Sequence, residues 1–309
     1  MSQDDIKRIG LIIGREEDLP GAIMKVVNEH NAGVVAELVK IGGTLLGDEC
    51  DYQVIIDRMS HEIPYYRTFL KYVAMHGTYV INDPFVWSSD SRFFGTALAN
   101  HLGYRSPRTV VLPNKEVEAE TVPDSFRNLI YPMDWEAIVD YVGVPAIFKD
   151  VITGGRRLSF RVHSVDELIQ RYDESGTRTM ILQEVVDSGD HIHCFIIGQQ
   201  KVLPLRFSMD DNRYHDAPDF QEHRVYGELV ESALAITRAY GYDINMLEFL
   251  VEDDHFLVVN GTNPSPVLDR SLLDEPQFDW LVDEIASLAI ERAKNPPPQR
   301  ITFSSQTIA

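Results

Sequence analysis

The 309-residue chain reads as an α/β and α+β protein, with a small N-terminal parallel α/β domain over residues 1–86 and a larger α+β portion after it. Three observations predict this. Over the first eighty or so residues, short apolar runs alternate with helical periodicity, the pattern of a parallel sheet. After Val144 the apolar runs instead follow one another across short Gly-rich or acidic turns, as antiparallel hairpins do. Near the C-terminus two adjacent strands, Met246–Val251 and Phe256–Asn260, each carry one polar residue among apolar ones. A chain of this length can bury a substantial core and divides into two or three lobes.

In order, KRIGLIIG at Lys7–Gly14 is a buried strand. A helix starts near Pro20, with Ile23, Val26 and Val27 on one face. Val34–Val39 is a second strand or a helix, and DYQVIID at Asp51–Asp57 is a further buried strand. A helical segment from Tyr65 to His76 and a short strand Thr78–Ile81 complete the first domain. Ser88–Gly103 opens on Ser and Asp before an apolar periodic run and stops at Gly103, and so reads as a helix. Val110–Pro113 is a strand, Asn114–Pro132 an acidic surface excursion, and Asp134–Val142 a helix ended by Gly143.

Val144–Asp150, VPAIFKD, is a strand with Lys149 at its far end. Thr153-Gly154-Gly155-Arg156-Arg157 leads to a returning strand, Leu158–Val162. A lysine at a strand end beside a Gly-rich turn supplies a fixed cation and approachable backbone N–H groups, which phosphate oxygens require. An exposed hairpin explains the same residues. Ser164–Tyr172 carries a capping signal for a helix. Arg178–Val186, His191–Gly198 and Lys201–Phe207 are strands, Tyr226–Tyr240 is a helix stopped by Gly241, and Phe278–Lys294 is a final helix before a proline-rich tail.

In the C-terminal hairpin the polar residues are Glu248 and Asn260. A three-residue loop of Asp253, Asp254 and His255 sets them directly opposite each other. A carboxylate beside an amide oxygen suits a hard cation, and Mg2+ carrying nucleotide phosphates is the commonest. Alternatively Glu248 lies on a solvated face and Asn260 only begins the turn GTNP.

Composition narrows the function. The net charge of −20 disfavours nucleic acid and anionic membrane as general partners. No apolar run is long enough to span a bilayer. Two scattered cysteines, Cys50 and Cys194, form neither a disulfide framework nor a zinc site. The N-terminus lacks the basic start and apolar middle of a signal peptide, so a cytoplasmic location is expected. There is no G-x-G-x-x-G after Gly14, which disfavours a dehydrogenase, and no P-loop.

Taken in order, SSDSRFFGTALANHLGYRSPRT, VPAIFKDVITGGRR, MILQEVV, SGDHIHCFIIGQQKVLPLRF and MLEFLVEDDHFLVVNGTNPSP resemble the ATP-grasp superfamily. The likeness is strongest to its glutathione-synthetase-like and ribosomal-protein glutamate ligase branch. It implies a pre-ATP-grasp domain at 1–86 and a two-lobed ATP-grasp domain at 87–295. The smaller, nucleotide-closing lobe would lie at about 110–186, with a flexible tail at 296–309. It further implies ATP and Mg2+ as cofactors and an acyl-phosphate formed on a carboxylate and captured by an amine. Both substrates would be small molecules or peptides, and homodimers are common in such ligases.

Residue by residue, the resemblance implies that Arg92 and Lys149 contact phosphates and that Gly154 and Gly155 close over them. Gln183, Glu184, Val185 and Val186 would form the adenine-reading hinge. Arg206, with Arg213 as a further candidate, would neutralise the acyl-phosphate, and Glu248 and Asn260 would ligate the metal. Two departures stand out. Val258 replaces the carboxylate two residues before the metal-binding asparagine, for which Asn263 or Asp269 are candidate substitutes. His191-Ile192-His193 stands where the branch often has Asp-x-Arg; these histidines either touch ribose, substrate or another metal, or are ordinary half-exposed residues. An ATP-dependent carboxylate–amine ligase is the leading expectation. A nucleotide-binding protein with lost or altered catalysis, acting as a regulatory or partner subunit, and a kinase-like phosphoryl transferase are the alternatives.

Overall fold

The computed structural model describes residues 6–30, 32–117, 127–152, 158–186 and 189–298. The chain begins with β1 (Lys7–Ile12), α1 (Asp18–Glu29), β2 (Val34–Leu38), β3 (Tyr52–Asp57), α2 (Pro64–Met75), β4 (Tyr79–Ile81) and a short α3 (Pro84–Ser88). The four strands form one sheet in the order β2-β1-β3-β4, with all pairs parallel. The ambiguous segment at Val34 is therefore a strand. It pairs in register with β1 from Lys7↔Val34 to Leu11↔Leu38.

There follow α4 (Arg92–His101), β5 (Thr109–Leu112), α5 (Trp135–Val142), β6 (Ala146–Asp150), β7 (Ser159–Val162), α6 (Val165–Asp173) and β8 (Met180–Glu184). The helix expected over Ser88–Gly103 is α4, and the Ser/Asp residues at its opening lie before it as cap and lead-in. Asp83 caps α3, accepting from Phe85 N and Val86 N, and Ser91 starts α4 afresh by accepting from Phe94 N. The Ser88 that opens the expected range is the last residue of α3, so the cap at Ser91 is what fixes where the helix begins. The remaining elements are β9 (Asp190–Ile197), β10 (Lys201–Ser208), β11 (Arg213–His215), α7 (Pro218–Gln221), α8 (Tyr226–Tyr240), β12 (Ile244–Glu252), β13 (His255–Asn260) and α9 (Glu275–Lys294). The last helix starts earlier than its apolar pattern suggests. Asp274 and Gln277 form a capping box and Pro276 sits in the first turn.

These elements make two compact units. The first comprises residues 1–89, 191–247 and 263–309; the second comprises 90–190 and 248–262. In the first, the parallel sheet shares a core with α1, α9 and the strands β9–β11. Ile9, Leu11, Ile23 and Val54 lie with Phe195, Leu205, Phe278, Leu281 and Ile285, all nearly inaccessible. Burying such side chains contributes roughly 1.5–3 kcal/mol each.

In the second unit, β5-β8-β6-β7 form an antiparallel sheet. Alternation along β6 turns Ala146 and Phe148 toward α5 and α6, where they meet Val142, Leu168, Tyr172 and Leu182. Ile147 and Lys149 are thereby turned to the opposite face.

The hairpin at the end of the second unit corrects one expectation. Glu252 pairs with His255, so the loop is the two residues Asp253 and Asp254, with Asp253 at φ 49°. In that register Phe249 lies opposite Val258, which alone would leave Glu248 opposite Val259. A bulge between Glu248 and Phe249 adds one residue to β13 and brings Asn260 opposite Glu248. The expected partnership exists, by a different route.

Candidate functional site

The second unit gathers a group of polar side chains on sheet faces and on one helix start. Lys149, on the face of β6 away from α5 and α6, donates from Nζ to Gln183 Oε1 at 2.7 Å. Gln183 lies on the central strand β8, opposite Ile147 and diagonal to Lys149, within reach of a long side chain. Burial is the main reason the Lys149 ammonium titrates low, at about 8 instead of 10.5. The charge of Arg92 pushes it the same way, and Glu248 opposes both. Lys149 makes no ion pair among the described residues, an unusual state in a chain of net charge −20.

Arg92 is the first residue of α4. Its backbone N–H donates to Val151 O at 2.8 Å and its Nε to Ile152 O at 3.2 Å, so the helix start is tied to the segment leaving β6. The other end of this constellation is held by a close backbone approach. A Cβ on Gly261 would stand 3.0 Å from Gly95 O, so α4 and the end of β13 meet where neither residue has a side chain. Beside it Thr262, fully buried, donates from Oγ1 to Asp90 Oδ2 at 2.7 Å. Gly95, Gly261, Thr262 and Asp90 were not expected from sequence; the Gly-Thr following Asn260 was the available signal.

Asn260 donates from Nδ2 to Glu248 Oε1 at 3.1 Å, and Thr262 N donates to Asn260 Oδ1 at 3.5 Å. Among the described residues no three His, Cys, Asp or Glu gather into a protein-only metal site. A magnesium ion carried by phosphates makes the smaller demand of one or two protein carboxylates. Glu248, half-buried and in the field of Lys149, fits that demand. Asn260 fits as a second oxygen donor if its terminal amide turns over, since it now presents nitrogen to Glu248.

Val258 is 1% exposed, lies opposite Phe249, and donates its backbone N–H to Arg105 O at 2.8 Å. Because the bulge falls between positions 258 and 260, Val258 shares the apolar face with Phe256 and Phe249, while Glu248 is on the other face. The departure at this position is thus one of direction as well as of residue type.

At the end of β8, the Glu184 carboxylate accepts from Arg108 N at 3.0 Å and from its Nη2 at 2.7 Å. The Arg108 side chain holds that carboxyl below its ordinary range. Glu184 N in turn donates to Arg108 O. Val185 and Val186 follow the strand, half-buried. Gly154 and Gly155 lie outside the described residues.

The first unit carries the other expected residues. Arg206 on β10 donates to both carboxylate oxygens of Asp219, at 3.2 and 2.7 Å. Arg213 donates to Leu273 O. His191 is half-buried on β9, whereas His193 is buried, stacked on Phe207 and hydrogen-bonded through Nδ1 to Tyr214 Oη at 3.1 Å. Asn263 serves by backbone, its carbonyl accepting from Met246 N and its N–H donating to Asn245 Oδ1. Asp269 Oδ1 accepts from Ser271 N in an exposed turn. These residues lie in the first unit, and those around Lys149 in the second.

No family model and no curated protein matches this chain. Solved structures do. A RimK-domain ATP-grasp protein from Sphaerobacter thermophilus superposes with a TM-score of 0.65 at 17% identity, over 91% of this chain and 98% of that one. The chain has an ATP-grasp fold. The ATP-grasp ligase PsnB, in complex with minimal precursor, Mg and ADP, gives a TM-score of 0.58 at 16% identity over 91% and 98%. D-alanine–D-alanine ligase from Bacillus anthracis, complexed with ATP, gives 0.61 at 13% over 93% and 98%. At these identities the shared ATP-grasp architecture is what the likeness establishes. No helix among the described residues is long and apolar enough to cross a membrane.

Proposed function

We propose that this chain is an ATP-dependent carboxylate–amine ligase that forms an acyl-phosphate. The observation carrying the proposal is Lys149: a half-buried ammonium with no ion pair among the described residues, close enough to Arg92 and Glu248 to feel both charges. Two cations, Lys149 and Arg92, with one carboxylate suit a magnesium-bound polyphosphate, because phosphoryl transfer relies on positioning and on charge neutralisation. In this reading Lys149 and Arg92 bind phosphate oxygens, and Gly154 and Gly155 cover them. Glu248 holds Mg2+, with Asn260 as its second oxygen. That ion would draw charge off the phosphates and bridge them to the protein.

Adenine would be read at the end of β8, through Gln183, Val185 and Val186 and the backbone of Glu184. The Glu184 carboxylate is already engaged by Arg108. Arg206 and His191 are assigned to acyl-phosphate and nucleotide as the family likeness suggests. Residues 1–86 would form the pre-ATP-grasp domain and 87–295 the ATP-grasp domain, in a cytoplasmic protein. Structures of this fold include an ATP-grasp ligase complexed with a precursor peptide, so the carboxylate is sought among both small acids and peptides.

A second reading, nucleotide binding with altered catalysis, is favoured by Val258, whose buried, apolar-facing position removes a second metal carboxylate. One assay separates the two. ADP release is followed with ATP, Mg2+ and a panel of acids, with and without amines, on the wild type and Lys149→Ala. Release that depends on both an acid and an amine and is lost in Lys149→Ala is the ligase result. Tight ATP binding without release under any pair supports the second reading, and no ATP binding sinks both.

A further inference from the structure

Lys149 is aimed by an interaction that begins on another strand. Thr109 on β5 pairs directly with Gln183 on β8, and the two side chains stand on the same face as Lys149. Thr109 Oγ1 donates to Pro107 O at 2.9 Å, Gln183 Nε2 donates to Thr109 Oγ1 at 3.0 Å, and Lys149 Nζ donates to Gln183 Oε1 at 2.7 Å.

The polarity of this chain is forced. A hydroxyl has one hydrogen, and that of Thr109 is engaged by a backbone carbonyl. Toward Gln183 the hydroxyl can therefore only accept, so the NH2 end of the amide must face it. The amide oxygen is left for Lys149. The reversed amide would set NH2 against an ammonium and Oε1 against an oxygen with no hydrogen to offer. Gln183 is 4% exposed, so water cannot relieve that mismatch.

We propose that Thr109 is a positioning residue for Lys149, acting through the orientation of the Gln183 amide. An oxygen held at the ammonium stabilises its charged form and fixes one of its three N–H directions, leaving two for an acceptor outside the protein. The other charged groups that face Lys149 are Arg92 from α4, which opposes its charge, and Glu248 from β12, which supports it. The hydrogen bonds of the Thr109 hydroxyl run to Pro107 and Gln183. The functional meaning of the device rests on the reading of Lys149 as a phosphate ligand; the device itself does not.

The test uses the full chain without nucleotide. Acetylation of Lys149 by acetic anhydride is followed by mass spectrometry across pH, and the midpoint of its reactivity is compared among variants. Thr109→Val is expected to lower the midpoint by about one pH unit, whereas Thr109→Ser keeps the hydroxyl and stays at the wild-type value. Gln183→Glu is expected to raise it, and serves if Thr109→Val does not fold. A Thr109→Val midpoint equal to the wild type, an equal displacement in Thr109→Val and Thr109→Ser, or an unmoved Gln183→Glu would overturn the proposal. If the midpoints behave as expected but Lys149→Ala binds Mg2+-ATP as tightly as the wild type, the positioning stands and the functional reading fails.

Discussion

Glu248 and Asn260 face each other across a hairpin because β13 contains one more residue than its two-residue turn would otherwise allow, and the Asn260 amide donates to the Glu248 carboxylate at 3.1 Å. If this pair holds the magnesium of a nucleotide, Glu248→Gln removes the charge and keeps the shape. Interactions with a charged group contribute roughly 1.5–3 kcal/mol, so Mg2+-ATP affinity should fall about 10- to 150-fold. Binding of ATP in EDTA should change much less. Isothermal titration under both conditions measures the difference, and equal losses in both would contradict a metal role.

Lys149 predicts a pH dependence with a definite sign. Its ammonium is charged below about 8, so affinity for a polyphosphate should be greatest below that pH and decline as pH rises through it. Binding near pH 8 should take up a fraction of a proton, which shows as a buffer-dependent calorimetric enthalpy. Lys149→Arg should abolish the decline. For folding the direction is opposite. The unfolded lysine titrates near 10.5 and binds more protons between the two values, so this residue makes stability rise from pH 8 toward 10.5.

Restoring a carboxylate at position 258 should not restore a metal ligand. Val258 is buried on the face shared with Phe249, so Val258→Asp places a charge in an apolar setting without reaching Glu248. The expected result is a lowered Tm and no gain in Mg2+ affinity, read by thermal shift with and without the ion. Tighter Mg2+ binding would show that residue 258 reaches the face of Glu248 after all.

The backbone approach of Gly95 and Gly261 predicts that Gly261→Ala displaces α4. A Cβ 3.0 Å from a carbonyl oxygen forces a shift, and overpacking of this kind costs about 1–3 kcal/mol. Because Arg92 starts α4, nucleotide affinity should weaken together with stability. An unchanged Tm would mean that the helix yields freely.

The parallel first sheet and the strand bearing Lys149 were legible from local runs of apolar residues, whereas the Glu248–Asn260 pairing was reached by counting a loop one residue too long, an error that the bulge cancels. What was not legible depends on distant partners or on a single inserted residue. The bulge leaves no mark in a run of Val and Leu, and only the register of the whole hairpin shows it. Likewise nothing near Glu184 announces that Arg108, 76 residues earlier, occupies its carboxylate. Thr109 fell outside the strand read at Val110–Pro113, and its partnership with Gln183 shows only once β5 and β8 are seen side by side.

The chain passes from one compact unit to the other at residues 89/90, 190/191, 247/248 and 262/263, the third time in the middle of β12. Neither unit is therefore an uninterrupted piece of the gene. An expression clone stopping at 190 would carry Lys149 and Arg92 but leave behind the hairpin with Glu248 and Asn260. Excising the second unit for separate study calls for a circularly rearranged or spliced polypeptide that fuses 90–190 to 248–262.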